Sequence, residues 1–334
     1  MSELAGHITG LDIFPIKSCH AATIDGSWPR TLGVGRTGFE AYGIADREFV
    51  LVEDNPEAYN GLHFVTQRGW GINNRGEKQN RREHDNKLAL VRTDISAEGL
   101  RVSLEDESYG SILIESALER SSQRDVKIFG KSLPAATETG QAEVNDFFST
   151  LLERSVRLMQ ANPAQPRELP QEYHRPGAAN QVAAADAFPM LLVSEASLNR
   201  SHDIAGLTRG TVPITQYRGN IIISGENENP YVEDYWLKIR VGDLGAYVVK
   251  ACKRCPIPGI DQETAERGAG GQKVLNHRLG YIYDPEVDKQ DVKTVFGQNL
   301  NHIFEPGISV NMWDAVRVEA WGEERNFTLL SDAA

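Results

Sequence analysis

Short β-patterned runs separated by glycine, aspartate and asparagine turns constrain the fold of this chain more than any other feature. In the first 133 residues these runs cover residues 8–14, 43–52, 63–66, 88–92, 100–104, 111–115 and 126–129. Such short alternating runs are typical of strands, and their spacing is typical of a barrel or sandwich. The N-terminal half is therefore predicted to be rich in β-structure.

The second half mixes strands with two short helices. Apolar residues at spacings of three and four predict a helix over 141–154. Four prolines between 163 and 176 then indicate an extended crossover. Ser194 follows the predicted strand 188–193 and is expected to cap a helix, because its hydroxyl can accept a hydrogen bond from a free first-turn amide. Strands are predicted to resume at 221–224, 236–241, 247–251, 280–283 and 315–320.

Composition and charge narrow the classes of function. The chain has 334 residues, 40% hydrophobic residues and a formal net charge of −12, which allows two domains with a substantial core. Its acidity argues against general nucleic-acid binding, which needs a basic face. No apolar run approaches the roughly 18 residues needed to cross a bilayer, and we expect a cytoplasmic protein without a membrane span. A basic, polar stretch at 68–86 is predicted to be a surface loop that could dock an acidic partner.

Cys252 and Cys255 form a Cys-x-x-Cys motif with a lysine and an arginine between them. These cations favour the thiolate form of Cys255, which is the form that binds metals and reacts with sulfur compounds. Prolines at 256 and 258 exclude an α-helix that starts here, so the motif differs from a thioredoxin-type redox pair. Structural zinc and iron–sulfur clusters need more ligands than the sequence groups here, so electrons would have to come from a partner. The remaining cysteine, Cys19, is expected to be buried and inert.

Three further segments place cations and amide donors beside strands. Lys17 and Ser18 could present an ammonium, a hydroxyl and backbone amides to an anion, although a solvated lysine is the alternative. Arg47 lies inside a β-patterned run, where an ion pair with its acidic neighbour would be purely structural. Arg218 and Asn220 precede an apolar strand and could bind a phosphate or simply stabilise a turn. Together with the thiol, these residues predict an anion-binding site with a reactive thiolate.

These segments, in this order, resemble the MOSC family, named for the C-terminal domain of molybdenum-cofactor sulfurases. The resemblance is to its two-domain branch, which contains the mitochondrial amidoxime-reducing components and bacterial relatives. The segments that carry it are 13–19 (IFPIKSC), 46–52 (DREFVLV), 66–68 (TQR), 88–91 (LALV), 192–197 (LVSEAS), 217–225 (YRGNIIISG), 251–255 (ACKRC) and Asp261. Each segment alone is weak evidence for the family, and the resemblance depends on the order of the segments over about residues 6–319.

The resemblance implies a mainly β (α+β) fold in three parts. These are an N-terminal MOSC-type domain over 1–133, a helix and proline-rich crossover over 134–187, and a C-terminal MOSC β-barrel over 188–325. It also implies a molybdenum–molybdopterin cofactor between the two domains, with Cys255 as the protein ligand to molybdenum. A soft thiolate suits molybdenum held by dithiolene sulfurs, and cations suit the cofactor phosphate. The cofactor-binding residues that it implies are Lys17, Ser18, Arg47, Ser194, Arg218, Asn220, Lys253, Arg254 and Asn299.

The implied reaction is two-electron reduction of an N-hydroxylated small molecule, such as an amidoxime, a hydroxylamine or an N-hydroxylated base. Its electrons would come from a separate ferredoxin-like or cytochrome b5-like protein. Asp261 is a candidate proton donor because it lies near Cys255 in sequence, although turn carboxylates are commoner. The alternative is a sulfur carrier or cofactor-handling protein with a Cys255 persulfide, loaded by a separate pyridoxal-phosphate-dependent desulfurase. Pro256 and Asn299 depart from the family pattern, so the resemblance does not identify the substrate.

Overall fold

The computed structural model describes most of the chain, and most of the described residues lie in short strands. The described residues are 2–54, 62–69, 84–106, 110–115, 123–128, 131–225, 229–268, 270–284 and 289–329. The mainly β fold that the sequence predicts is therefore confirmed. Most of the predicted basic loop at 68–86 lies outside the described residues. None of the helices within these ranges is long and apolar enough to span a membrane.

Thirteen strands and one α-helix precede the crossover. The strands are β1 (Glu3–Leu11), β2 (Ala22–Ile24), β3 (Thr31–Gly35), β4 (Gly38–Ala41), β5 (Ile44–Ala45), β6 (Phe49–Glu53), β7 (Leu62–His63), β8 (Val91–Ser96), β9 (Gly99–Leu104), β10 (Ser111–Glu115), β11 (Gln123–Ile128), β12 (Lys131–Glu138) and β13 (Val156–Gln160). Helix α1 (Ala142–Leu152) lies between the last two strands. Its buried apolar residues, Val144, Phe147, Phe148, Leu151 and Leu152, form the stripe that predicted it.

The crossover and the second half contain eleven strands, helix α2 (Glu195–Ala205) and several short 3-10 helices. The strands are β14 (Arg167–Glu168), β15 (Gln181–Val182), β16 (Met190–Ser194), β17 (Ile221–Gly225), β18 (Trp236–Val241), β19 (Leu244–Lys253), β20 (Leu279–Asp284), β21 (Lys289–His302), β22 (Ser309–Asn311), β23 (Ala315–Trp321) and β24 (Thr328–Leu329). The 3-10 helices among the described residues are Asp85–Leu90, Gln171–Tyr173, Ile214–Tyr217, Val232–Tyr235, Ile257–Gly259 and Lys273–Arg278.

Seven of these strands close a barrel. Their order is β16-β17-β1-β23-β18-β19-β21, and β21 pairs back with β16. Strand β1 pairs antiparallel with β17 and β23, so the first strand of the chain completes a barrel built otherwise by the C-terminal half. Closure leaves no exposed edge in this ring. The buried face includes Ile8, Trp236, Ile239, Leu300 and Val318.

The remaining N-terminal strands form three smaller sheets. Their orders are β6-β13-β12-β11-β7, β10-β9-β8-β2 and β22-β3-β4-β5. The third sheet includes β22, which comes from the C-terminal half and pairs with β3. Each half thus donates a strand to a sheet of the other, because β1 lies in the barrel and β22 lies beside β3. This exchange holds the two halves together around the end of the barrel where β1 leaves it.

Two predicted strands differ from the structure. The run 43–52 is broken, because β5 ends at Ala45 and β6 starts at Phe49, and Arg47 between them has φ 52°. The Asp46 side chain stabilises this turn by accepting a hydrogen bond from the Phe14 backbone amide at 2.8 Å. The predicted strand 88–92 is wrong, since Asp85–Leu90 is a 3-10 helix and β8 begins only at Val91. A short buried apolar run does not distinguish a strand from a helical turn.

Candidate functional site

A cavity of about 330 Å³ lies where the barrel end meets the N-terminal sheets and the crossover. Its lining residues come from all three regions of the chain. The charged and polar ones are Lys17, Ser18, Arg47, Lys131, Tyr173, Asp186, Tyr217, Arg218, Asn220, Lys250, Cys252, Lys253, Arg254, Cys255 and Asn299. Among the described residues, this lining contains seven lysines and arginines but one carboxylate, in a protein whose net charge is −12. The cavity is therefore strongly electropositive within an acidic molecule.

Lys17 and Ser18 lie in the turn where the chain passes from β1 into the N-terminal sheets. The backbone amide of Lys17 donates to Phe49 O at 2.8 Å, and Gln67 Nε2 donates to Ser18 O at 2.6 Å. The Lys17 ammonium is buried, donates to Ala184 O at 2.9 Å and forms an ion pair with Asp186. Burial lowers its pKa to about 8, although Asp186 opposes the shift. The ammonium is thus held firmly at the cavity wall by the turn and the crossover.

Arg47 reaches the cavity from the turn between β5 and β6. Its guanidinium forms an ion pair with Asp46, the structural pairing that was the alternative reading of this residue. The same guanidinium lies 3.4 Å from Asn220 Oδ1 and 4.7 Å from the centre of the Phe14 ring. These contacts fix the arginine, and its cation still lines the cavity.

Arg218 and Asn220 lie between the 3-10 helix Ile214–Tyr217 and β17. Arg218 is buried, donates to Cys19 O at 2.7 Å and lies 4.3 Å from the Phe14 ring centre. Burial and repulsion from Arg47 lower its pKa to about 10. The Asn220 side chain accepts from Leu191 N at 3.1 Å and donates to the Asp46 carboxylate at 3.1 Å. Asn220 therefore stabilises the turn, which was the alternative role that the sequence allowed, and it also lines the cavity.

Three cavity residues share an uncommon backbone conformation. Ser18, Arg47 and Arg218 have φ values of 71°, 52° and 54°, in the left-handed region that non-glycine residues rarely adopt. Such strain costs of order 1 kcal/mol or more per residue and clusters at functional sites. Surrounding hydrogen bonds hold each turn in place, so the three polar side chains converge on one space.

The Cys-x-x-Cys segment lies at the end of β19. Cys252 and Cys255 both line the cavity, and each is half-buried. The 3-10 helix Ile257–Gly259 follows, in agreement with the prediction that the prolines exclude an α-helix. Arg254 donates to Tyr217 O at 2.6 Å and lies 3.2 Å from Cys252 Sγ, so its charge acts directly on Cys252 rather than on Cys255. Burial raises the pKa of Cys252, and Arg254 opposes that shift.

Cys19 differs from the other two cysteines. It is fully buried, and desolvation raises its pKa to about 12. The prediction that Cys19 is buried is confirmed. Within the described ranges, no three His, Cys, Asp or Glu side chains form a group that could hold a metal.

The structure does not bring Ser194 and Asp261 to this cavity. Ser194 caps α2 as predicted, with its hydroxyl accepting from Ser197 N at 3.4 Å, and it lines a separate cavity of about 70 Å³. Asp261 Oδ1 accepts from the backbone amides of Glu263 and Thr264 at 2.8 and 2.9 Å. Its carboxylate thus stabilises a turn. Closeness to Cys255 in sequence does not place it among the cavity residues.

Besides the predicted Asn299, the cavity contains several residues that have no signal in the sequence. Asn299 was expected there, and its amide donates to Lys250 O at 3.1 Å on the neighbouring strand. Lys250 itself, with Tyr173 from the crossover and Phe188 just after it, was not expected. The crossover has little periodicity of its own, so its position over the barrel end depends on contacts that lie far apart in sequence.

The fold and cavity define a two-domain β protein with a cationic, thiol-containing site. Two family models match this chain: the MOSC N-terminal beta barrel domain over residues 5–155 and the MOSC domain over 179–317. The chain belongs to the two-domain MOSC family. The ordered segments of the sequence predicted this membership, and the comparison confirms it.

Named relatives are of two kinds. Mitochondrial amidoxime reducing component 2 of Bos taurus is 26% identical over 264 residues, which cover 78% of this chain and 68% of the relative. Mitochondrial amidoxime-reducing component 1 of Homo sapiens is also 26% identical, over 271 residues, with the same coverage. A molybdenum cofactor sulfurase of Aspergillus niger is 25% identical over 350 residues, which cover 88% of this chain. The chain spans 38% of the length of that sulfurase.

Proposed function

We propose that this protein is a molybdenum-cofactor-dependent oxidoreductase that reduces N-hydroxylated compounds. The observation that carries the proposal is a cavity lined by seven cations, one carboxylate and the Cys255 thiol. The relatives named for amidoxime reduction support it. Electrons would come from a separate ferredoxin-like or cytochrome b5-like protein in the cytoplasm.

The residues present fit the cofactor. Lys17, Arg218 and Arg254 are 4%, 9% and 8% exposed, and burying cations to this degree is costly unless an anion neutralises them. Asp186 is the sole carboxylate among the described lining residues, and it contacts Lys17. Arg254 Nε is buried and has no hydrogen-bond partner among the described residues. A phosphate and a polar pterin would supply the missing negative charge and acceptors.

The position of each residue in the cavity suggests its role in binding the cofactor. Lys17, Ser18, Arg47, Arg218 and Asn220 would bind the phosphate and pterin, and Cys255 would bind the metal. Lys253 and Arg254 adjoin the metal ligand, and Asn299 lines the cavity from the strand beside Lys250. Contacts to protein carbonyls and carboxylates hold these groups before any ligand arrives, which lowers the entropy lost on binding.

The reaction balances with water as the second product. When bound, the cofactor supplies the two-electron couple that removes the substrate's hydroxyl oxygen. The N–O bond breaks, two electrons and two protons are consumed, and an amidoxime leaves as an amidine plus water. The chain's part is to orient the cofactor, to hold positive charge around it and to exclude bulk water from the buried side of the cavity.

Replacing each cysteine separately tests the proposal. Wild-type protein from a cofactor-competent host should hold about one molybdenum per chain and reduce benzamidoxime with reduced viologen. Cys255→Ala should lose both properties, because the sole proposed protein ligand is gone. Cys252→Ala is the matched control, and it should retain molybdenum. Wild-type protein that is metal-free, or a Cys255→Ala variant with as much metal as Cys252→Ala, would overturn the proposal.

A sulfur carrier is the second candidate, favoured by the half-buried Cys255 thiol that opens to a cavity. In that function Cys255 would hold a persulfide delivered by a separate desulfurase. Intact-mass measurement after desulfurase treatment should then show an adduct of about 32 Da that Cys255→Ala lacks. Absence of the adduct in the wild type excludes this candidate and leaves the reductase.

A further inference from the structure

The cavity cations divide into two groups by burial. Lys17, Arg218 and Arg254 are buried. Arg47, Lys131, Lys250 and Lys253 are half-buried. Among the half-buried cations, Lys250 has the contacts that bear on a ligand.

Lys250 lies beside an aromatic wall. Its ammonium donates to the Tyr173 hydroxyl at 2.7 Å and lies 5.1 Å from the centre of that ring. Tyr173 packs edge-to-face against Phe188 with ring centres 5.0 Å apart. Both rings and the lysine line the cavity. The cavity is therefore lined by two aromatic rings with a cation beside them.

The protein holds this wall rigidly. Phe188 packs with Leu169 and Val182, and Tyr173 packs against the same cluster. The Tyr173 backbone is fixed by its amide, which donates to Pro170 O at 2.9 Å, and by its carbonyl, which accepts from Asn301 at 3.1 Å. Rigid side chains on a supported backbone are what a specific ligand subsite requires.

We propose that Tyr173, Phe188 and Lys250 form a substrate subsite for planar aromatic N-hydroxylated compounds that carry a carboxylate. The inference rests on the proposed function for the reaction, and it adds the class of substrate. An aromatic ring packs favourably against the two protein rings. A carboxylate on that ring pairs with the lysine ammonium, whose partial burial strengthens the pairing relative to a fully exposed one. A neutral compound of the same shape gains only the packing.

Binding without turnover gives the first test. Purified protein without reductant is titrated with 4-carboxybenzamidoxime and with benzamidoxime by calorimetry. The wild type should bind the carboxylated compound about tenfold more tightly, as one charge-assisted hydrogen bond in a half-buried setting allows. In Lys250→Met this ratio should fall to about one. Methionine keeps the apolar stem of the lysine and removes only its charge and hydrogen bond.

Lys238→Met is the matched control. Lys238 also lies over a tyrosine ring, 5.7 Å from the centre of Tyr247, but it pairs with Glu319 on a surface away from the cavity. Its substitution should leave the wild-type ratio of affinities in place. If both lysine variants lower the ratio equally, the effect is one of net charge and the subsite is refuted.

Turnover and metal content separate this inference from the proposed function. If benzamidoxime is reduced but the carboxylate brings no tighter binding, the subsite is wrong and the reductase stands. If binding shows the preference but neither compound is reduced, the reductase is wrong and the subsite stands. Molybdenum content must equal that of the wild type in Lys250→Met. A loss of metal there would assign Lys250 to the cofactor and overturn the inference.

Discussion

Two buried arginines, Arg218 and Arg278, are held in opposite ways. Arg278 Nη2 lies 3.0 and 2.9 Å from the two oxygens of Asp234, and its guanidinium lies between the rings of Tyr231 and Phe327. Arg218 donates to a backbone carbonyl and lies over the Phe14 ring that Arg47 also contacts. Among the described residues, no carboxylate lies within ion-pair distance of Arg218.

The difference separates a structural charge from a ligand-binding one. The charge of Arg278 is neutralised by the protein itself, and Gln298 satisfies the same carboxylate at 3.0 Å. The charge of Arg218 is opposed by a second cation, which with burial lowers its pKa. A folded protein retains such a repulsive arrangement where an anionic ligand offsets it. The comparison therefore favours a ligand-binding role for the Arg218 cluster and a stabilising role for the Arg278 cluster.

Removing the structural charge should have the largest effect. Arg278→Met leaves the Asp234 carboxylate buried without its cation, and this should lower the free energy of unfolding by about 3–5 kcal/mol. Urea unfolding of the cofactor-free protein, followed by tryptophan fluorescence, measures the loss. A change below about 1 kcal/mol, the size expected of a surface substitution, would show that the pair is not structural.

Arg218→Met is the matched change in the candidate site. It removes a charge that burial and Arg47 disfavour, at the cost of one hydrogen bond to Cys19 O. These two effects oppose each other, so the free energy of unfolding of the cofactor-free protein should change by less than about 1 kcal/mol. Molybdenum content should nevertheless fall well below that of the wild type. Equal destabilisation by both arginine substitutions would remove the distinction between the clusters.

The pH dependence of stability sharpens the same comparison at Lys17. Its folded-state pKa is about 8, below the ordinary value of 10.5. Between these pH values the unfolded chain binds a proton that the folded one does not, so stability should rise with pH across this window. The rise should amount to about 2–3 kcal/mol in the cofactor-free protein. Lys17→Met should flatten this part of the curve, and an unchanged slope would contradict the assignment.

Much of the fold is readable from the sequence because its strands and helices carry clear periodicity. The stripe of α1 and the Ser194 cap are local features, and both are confirmed. The pairing of β1 with β17 and β23 is not local, since a strand's pattern shows which face is buried but not which strand lies beside it. The exchange of strands between the halves therefore appears only in the structure.

In the candidate site, too, some features could be predicted from the sequence and others could not. Lys17, Arg47 and Arg218 were predicted because each lies in a recognisable segment, yet the left-handed backbone of the two arginines was not predicted. The turn at Arg47 was missed because apolar residues on both sides continue one β pattern. Tyr173 and Lys250 meet only because the crossover folds over the end of β19. Their contact joins residues 77 positions apart, which periodicity does not address.

Ser194 tests whether the site ends where the structure places it. Ser194→Ala removes the hydroxyl that caps α2, so the free energy of unfolding should fall by about 1 kcal/mol. Ser194→Thr keeps a hydroxyl at the cap and should lose less. Molybdenum content should match the wild type in both variants, because Ser194 lies at the far end of β16 from the cavity residue Leu191. A selective loss of metal in Ser194→Ala would restore Ser194 to the cofactor site, as the family resemblance implied.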